Sequence, residues 1–118
     1  MIQILSLTQC EPAAVVLTRI QFTSGAGIKK RPAVVLSVED YHNSRADTVV
    51  VALTTQLQRS YFGDCDILDW RSAGLPEPSK AKGVIVTIER SIIERRMGRL
   101  SSADFARVQD SVRAILGL

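Results

Sequence analysis

The sequence predicts an α+β domain in which a strongly bent sheet or barrel is followed by a C-terminal helix. Short runs of β-branched apolar residues, separated by polar or glycine-rich segments, extend from residue 13 to residue 88. Residues 105–116 instead place their apolar side chains on one face of a helix. Five or six short strands in a chain of 118 residues bury their edges best by curling. We therefore expect one curved domain over 1–118.

The first half of the chain alternates strands with loops. The segment AAVVLTRIQF (13–22) is rich in β-branched residues and predicts the first strand. TSGAGIKK (23–30) contains two glycines and predicts a loop. PAVVLSV predicts a strand that opens at Pro32, because a missing N–H costs no ladder bond at the first residue of a strand. EDYHNSRAD (39–47) is polar and predicts a surface loop.

The second half begins with the most apolar strand. TVVVALTTQ (48–56) is almost continuously apolar in its first part, which is typical of a central strand covered on both faces. Less regular segments follow before the helix. In order, they predict a short strand at 62–68, an extended loop at 69–82, a strand at 83–88, one or two helical turns at 89–96 and a brief strand at 97–101.

The last helix has clear start and stop signals. Ser101 or Ser102 can cap its first turn, and Asp104 lies where the helix dipole favours an anion. Gly117 follows the last apolar pair, as expected at a helix C-terminus. Five apolar residues share one face of this helix, which we expect to pack on the sheet: Phe105, Val108, Val112, Ile115 and Leu116.

Composition permits an anionic partner without requiring one. Fifteen Lys and Arg residues against twelve Asp and Glu give a formal charge of +3 and a sequence pI of about 9.2. Two cysteines, Cys10 and Cys65, are too few for a disulfide framework. No segment has the pattern of a secretory leader or a membrane span. The expectation is a reduced protein of the cytoplasm that does not contact a membrane.

Several kinds of catalytic or binding site lack the residues they need. His42, the one histidine, stands in the predicted polar loop without an obvious partner. Asp64, Asp66 and Asp69 do not follow a metal-binding spacing and are more typical of a solvated acidic patch. GAG at 25–27 lacks the rest of a phosphate-binding loop. We therefore expect no metal and no cofactor.

One candidate site remains, at a strand entrance. If the strands around 32–38 and 48–56 pair antiparallel, the end of one lies beside the start of the other. A guanidinium and a threonine hydroxyl would then meet at one rim, a combination that suits phosphate. A solvated cationic loop next to strand-end threonines explains the same residues equally well on composition alone. The residues concerned are Lys29, Lys30 and Arg31, with Thr54, Thr55 and Gln56.

Longer blocks distinguish these interpretations, because together they resemble one family. FTSGAGIKKRPAVVLS, VVVALTTQ, DWRSAGLPEPSKAKGVIVTIERSII and GRLSSADFARV occur in the order seen in PemK/MazF-like toxins of toxin–antitoxin systems. The resemblance covers about residues 15–118. It implies a small, strongly curved antiparallel β-barrel of the CcdB/PemK type, with a C-terminal helix and a short helical turn before it. It also implies a cytoplasmic homodimer that binds a cognate antitoxin.

The resemblance further implies a sequence-specific endoribonuclease, an mRNA interferase that cleaves single-stranded RNA without a metal. Arg31 matches the arginine that stabilises the transition state or donates a proton, and Thr54 matches the threonine that contacts the scissile phosphate. Attack by the neighbouring 2′-OH would leave a 2′,3′-cyclic phosphate and a 5′-hydroxyl. Tyr61 or Phe62 could stack a base, and packing in the core explains these two aromatic residues equally well. The residues expected to bind RNA are Lys29, Lys30, Thr55, Gln56, Tyr61, Lys80 and Lys82.

The chain departs from the family pattern at three places. Ala13 and Ala14 stand where relatives commonly have Gly-Asp, no obvious general base precedes Arg31, and residues 1–12 have no counterpart and stay unassigned. The alternative function is therefore a catalytically weak or inactive binding module of the same fold, acting on a protein target such as gyrase. That alternative requires exposed C-terminal residues, whereas RAILGL (113–118) is more typical of a packed helix end.

Overall fold

Six antiparallel strands and two helices form the computed structural model, which describes residues 10–23, 25 and 27–118. In the described residues the strand order is β4-β5-β3-β2-β1-β6, and every neighbouring pair is antiparallel. A 3₁₀ turn, Arg90–Ile92, joins β5 to β6. The elements are β1 (Ala14–Gln21), β2 (Ile28–Val35), α1 (Glu39–Ser44), β3 (Asp47–Thr54), β4 (Cys65–Ile67), β5 (Ser79–Glu89), β6 (Ile93–Arg99) and α2 (Ser102–Leu116).

The α+β class and the antiparallel sheet are confirmed, whereas closure into a barrel is not. Within the described residues β4 and β6 lie at opposite edges of the sheet and do not pair with each other. The central position predicted for β3 is confirmed, since it lies between β5 and β2. The unassigned segment 1–12 lies outside the described residues as far as residue 9, so the prediction for it is untested there.

Four segments differ from their predicted structure, and two of them lie in the first half of the chain. The loop predicted at 23–30 ends earlier, because Ile28 pairs with Gln21 and β2 begins there; Ser24 and Ala26 lie outside the described residues. The polar loop predicted at 39–47 contains α1, whose first turn carries Glu39 and Asp40, where the helix dipole favours acids.

The other differences extend β5 and β6. The loop predicted at 69–82 ends early, because β5 begins at Ser79. Lys80 is buried in this strand and forms an ion pair with Asp64, which hydrophobic periodicity does not detect. Of the helical turns predicted at 89–96, only Arg90–Ile92 is helical, and Ile93 already begins β6. The predicted boundaries of these two segments are therefore wrong at places where charged residues alternate with apolar ones in the sequence.

The sheet buries apolar side chains on both faces, in two clusters. Val15, Val34 and Val51 belong to the first, against which Phe105 and Val112 of α2 pack. The second cluster includes Val16, Ala33, Val35, Val50 and Ala52, which alternate with the first along the same strands. Strands β1, β2 and β3 are therefore covered on both sides and form a rigid support for the residues at their ends.

Helix α2 follows its prediction closely. The Ser101 hydroxyl accepts a hydrogen bond from the Asp104 N–H at 3.1 Å, and Gly117 ends the helix with φ of 70°. The Asp104 carboxylate accepts hydrogen bonds from the N–H groups of Leu68 and Asp69 at 3.1 and 2.8 Å. These bonds hold the segment after β4 against the helix. The end of α2 is less packed than expected, since Leu116 and Leu118 are exposed.

Two glycines bring a turn into backbone contact with β6. Gly74, at φ of +82°, lies so close to the Met97 carbonyl that a Cβ there would overlap it. A Cβ at Gly98 would overlap the Ala73 carbonyl in the same way. This contact fixes the turn that leads into Leu75, Pro76 and Glu77.

No helix among the described residues is long and apolar enough to cross a bilayer.

Candidate functional site

The site begins where β2 and β3 separate. Their ladder pairs Ala33 with Ala52 and continues to Val35 and Val50. Pro32 lies just before the first of these pairs and has no N–H to extend the ladder toward β3. Proline was predicted to be the first residue of this strand; it is instead its fifth residue, unpaired on the β3 side. The two strands part at this point.

A cleft of about 300 Å³ opens between the parted strands. Continuing the β2–β3 register by two residues would place Arg31 opposite Thr54, and both line this Arg31 cleft. The predicted antiparallel pairing and its shared rim are therefore observed. The described residues that line the Arg31 cleft are 30–32, 53–56, 75–77 and 79.

The two predicted catalytic side chains have few competing partners. The Arg31 Nη1 donates a hydrogen bond to its neighbour's carbonyl, Lys30 O, at 3.0 Å, and the remaining guanidinium donors have no partner among the described residues. The Thr54 Oγ1 accepts a hydrogen bond from the Gln56 N–H at 3.1 Å. Because that bond uses a lone pair, the hydroxyl proton can still be donated to a ligand oxygen.

A second, smaller pocket adjoins this cleft and shares two of its residues. It measures about 170 Å³, and we call it the Asp64 pocket. Thr54 and Gln56 line both spaces, so a ligand extending from one could enter the other. The residues that line the Asp64 pocket are Thr54, Gln56, Arg59, Tyr61, Asp64, Lys80 and Lys82.

The four predicted lysines occupy different environments. Lys30 lines the Arg31 cleft and forms an ion pair with Glu94 at 3.0 Å. Lys82 lines the Asp64 pocket, whereas Lys29 is exposed and lines neither space. Lys80 does not fit the expectation of an exposed cation, because it is 4% exposed.

The aromatic residues predicted to stack on a base are both exposed. Tyr61 lines the Asp64 pocket and is 64% exposed, and its hydroxyl accepts a hydrogen bond from Arg59 Nη1 at 3.4 Å. Phe62 is 79% exposed but lines neither space. Their exposure argues against a core-packing role for either ring and leaves Tyr61 as the one beside the other site residues.

Sequence reasoning missed two acids that line these spaces. Glu77 lines the Arg31 cleft, and Asp64 lines the pocket that bears its name. Glu77 follows Pro76 in a segment predicted only as a loop, so no periodic pattern marked it. Among the described residues, no three His, Cys, Asp or Glu side chains cluster as a metal site requires. Among the described residues, Glu77 and Asp64 therefore line these spaces as separate carboxylates and not as parts of a metal-binding cluster.

His42 lies away from this rim, in a closed polar cluster. Its Nε2 is 2.6 Å from Ser37 Oγ and 2.8 Å from Thr48 Oγ1, and the imidazole is buried. Burial lowers the pKa of His42, and the nearby Arg90 guanidinium lowers that pKa further. We had expected a histidine in a solvated loop; it is instead a buried group that links α1 to β3.

The two cysteines are free and buried. Burial raises the pKa of the thiols of both Cys10 and Cys65. Because the thiolate is the reactive form, neither residue is suited to act as a nucleophile.

Comparison with known families identifies the family of this chain. Residues 11–116 match the model of the PemK-like, MazF-like toxin of type II toxin–antitoxin systems. The chain belongs to this family. The matched range includes both strands of the Arg31 cleft and the whole of α2. No curated protein matches the chain significantly in sequence.

Solved structures share the fold of this MazF-like chain at low sequence identity. The Mycobacterium tuberculosis toxin MazF-mt6 superposes with a TM-score of 0.73 at 18% identity, covering 89% of this chain and 97% of that one. A mycobacterial endoribonuclease in complex with its cognate antitoxin gives 0.72 at 19%, covering 92% and 95%. A MazE–MazF structure from Deinococcus radiodurans gives 0.69 at 20%, covering 92% and 96%. The MazF-like fold is therefore present.

Proposed function

We propose that this MazF-like toxin is a sequence-specific endoribonuclease that cleaves single-stranded RNA without a metal ion. One observation carries the proposal: Arg31 and Thr54, from two paired strands, line one open cleft. A guanidinium offers a planar pair of donors and a fixed charge to phosphate, and a hydroxyl donates to another oxygen. Solved MazF-fold structures described as endoribonucleases support the same assignment.

In the proposed reaction, the RNA itself supplies the nucleophile. The 2′-oxygen attacks the adjacent phosphorus, the bond from phosphorus to the 5′-oxygen breaks, and a 2′,3′-cyclic phosphate and a 5′-hydroxyl form. Arg31 neutralises the charge that develops on the non-bridging oxygens, and Thr54 orients the phosphate. DNA lacks the 2′-OH and would not be cut.

The 2′-OH must lose a proton, and we propose that Glu77 accepts it. It carries the carboxylate among the described residues that line the Arg31 cleft. Its backbone is fixed, since the Glu77 carbonyl accepts a hydrogen bond from Ser79 Oγ at 2.9 Å. We assign Glu77 as the general base, with water returning a proton to the 5′-oxygen.

The remaining site residues would guide the RNA. Lys29, Lys30 and Lys82 attract the backbone, and Tyr61 stacks on a base. The same cations would attract an acidic antitoxin segment, because both ligands are extended anions. We also propose a homodimer acting in the cytoplasm; MazE–MazF structures of the same fold support an antitoxin partner.

A direct assay tests the nuclease. The pure protein is incubated with a long single-stranded RNA in excess chelator, and the ends of the fragments are mapped. We expect discrete cuts that leave 5′-hydroxyl and 2′,3′-cyclic phosphate termini. RNA that stays intact at high protein concentration would overturn the proposal.

One observation favours a second candidate, a module that binds a protein target such as gyrase. Leu116 and Leu118 are 54% and 87% exposed, so the C-terminus is more accessible than a packed helix end. Intact RNA together with a protein target captured in a purified binding assay would support this function. Deleting residues 116–118 would then abolish target binding.

A further inference from the structure

A buried ion pair lies directly behind Thr54. Lys80 is the β5 residue that pairs with Thr54 in the β3–β5 register. Its Nζ lies 2.8 Å from the Asp64 Oδ2, and these side chains are only 5% and 9% exposed. Burying two charges is costly, and an apolar pair of similar volume is often at least as stable. Stability alone therefore does not account for a buried pair at this place.

The ion pair fixes the loop that carries Tyr61. The Lys80 Nζ also donates a hydrogen bond to the Arg59 carbonyl. The Tyr61 N–H donates to the same Asp64 Oδ2 at 3.0 Å, and the Asp64 N–H donates to the Tyr61 carbonyl at 3.1 Å. The orientation of the Asp64 carboxylate is thus set from two sides by Lys80 and the loop backbone.

One oxygen of that carboxylate remains without a partner. Asp64 Oδ1 is buried and makes no hydrogen bond with the described residues. A buried carboxylate oxygen without a donor carries a desolvation cost, which a ligand donor would remove. Asp64 lines a pocket together with Arg59 and Lys82, whose side chains can only donate hydrogen bonds. A ligand for this pocket should therefore present one N–H or O–H group to Asp64.

We propose that the Asp64 pocket binds a base next to the scissile phosphate, and that Asp64 accepts a hydrogen bond from an exocyclic amino group of that base. The proposal rests on the RNA-cleaving function, because Thr54 lines both the pocket and the Arg31 cleft. The exposed ring of Tyr61 offers a stacking surface at the same pocket.

This chemistry selects among the four bases. Adenine, cytosine and guanine carry an amino group on the Watson–Crick edge, and a carboxylate can only accept hydrogen bonds. Uracil has no amino group, and its single N–H lies between two carbonyl oxygens that repel a carboxylate. The Asp64 pocket should therefore exclude uracil. Lys80 acts as a positioning residue that holds the Asp64 carboxylate in its orientation.

Binding of short DNA tests this specificity without cleavage, because DNA lacks the 2′-OH. Fluorescently labelled hexamers of deoxyadenosine, deoxycytidine and deoxyuridine are titrated with protein, and Kd is read from anisotropy. We expect the wild type to bind the first two about tenfold more tightly than the third. D64N should reduce that ratio to near one, since an amide can also donate to uracil. D66N is the matched control, because Asp66 is exposed and lines neither space, and it should keep the wild-type ratio.

A second variant guards against misfolding, because D64N leaves Lys80 charged and buried. D64N/K80Q removes both charges together and should lose the same discrimination while melting near the wild type. Any one of three results would overturn the proposal. They are an unchanged ratio in both Asp64 variants, equal wild-type affinity for all three hexamers, and no binding of any hexamer. Discriminating DNA binding without RNA cleavage would instead reject the nuclease and leave the base pocket standing.

Discussion

Polar residues occur at both ends of the β2–β3 pair. They line an open cleft at one end and surround a buried histidine at the other. At one end the strands part, and Arg31 and Thr54 face an open cleft. At the other end Ser37 and Thr48 close around His42, with Ser37 Oγ also accepting the Val49 N–H at 2.9 Å. Both ends are polar in the sequence, but only at the closed end do the side chains hydrogen-bond mainly to one another, with the buried His42 Nδ1 left without a partner among the described residues. Polar side chains that face an open cleft mark the end that can bind a ligand.

The largest effect is expected at the open end, from Arg31→Ala. Loss of the guanidinium should lower RNA cleavage by about a thousandfold or more, as for other arginines that stabilise a phosphoryl transition state. The melting temperature should stay within about a degree, because the Arg31 side chain hydrogen-bonds, among the described residues, only to its neighbour's carbonyl. Arg95→Ala, at an exposed position on β6, should change neither quantity. An active Arg31 variant would remove the catalytic assignment.

A smaller effect is expected from Glu77→Gln, which keeps shape and removes the proton acceptor. Loss of a general base typically costs about a hundredfold or more in rate. Single-turnover cleavage should slow accordingly, whereas RNA affinity should change little. Glu89→Gln, exposed and outside the Arg31 cleft, is the matched control. Equal rates for the two variants would show that another group takes the proton.

Two threonines at opposite ends of β3 compare the regions directly. Thr54→Val should reduce cleavage by about tenfold with little change in stability, because the one internal hydrogen bond that it removes, from the Gln56 N–H, is exposed to solvent. Thr48→Val should leave cleavage unchanged and lower the free energy of unfolding by about 1–2 kcal/mol, because Ser37 and His42 lose a partner. Denaturant melts and cleavage rates measured on both proteins check the crossed pattern. Parallel effects in the two assays would mean that the ends are not separate.

The smallest effect concerns pH at the closed end. The pKa of His42 is lowered in the fold by burial and by Arg90, with Glu39 opposing the shift. The unfolded chain therefore binds a proton more readily, so this contribution to stability is complete above about pH 6.5 and is lost as pH falls toward the lowered pKa. Melting temperatures at pH 7.5 and 5.0 should differ more for wild type than for His42→Gln. An identical difference in the two proteins would contradict the assignment, since the chain has one histidine.

Sequence alone predicted the open end better than the closed one. Pro32 and the strand patterns around it placed Arg31 beside Thr54, because apolar alternation fixes which residues end a strand. His42 was misplaced in a solvated loop, since Ser37 and Thr48 become its partners only when β2, α1 and β3 meet. Lys80 was misread for the same reason, because its partner Asp64 is brought beside it by the pairing of β4 with β5. Pairings across the sheet, which decide whether a charge is buried or free, leave no periodic trace in the chain.

The backbone contact at Gly74 and Gly98 holds one wall of the Arg31 cleft in place from outside the cleft. Leu75, Pro76 and Glu77 extend from a turn that touches β6 backbone to backbone. A single methyl group at either glycine would push that turn outward and move the wall, although neither residue lines the cleft. Loss-of-function screens should therefore recover alanine at 74 and 98, in a toxin whose folded core and charged rim are both intact.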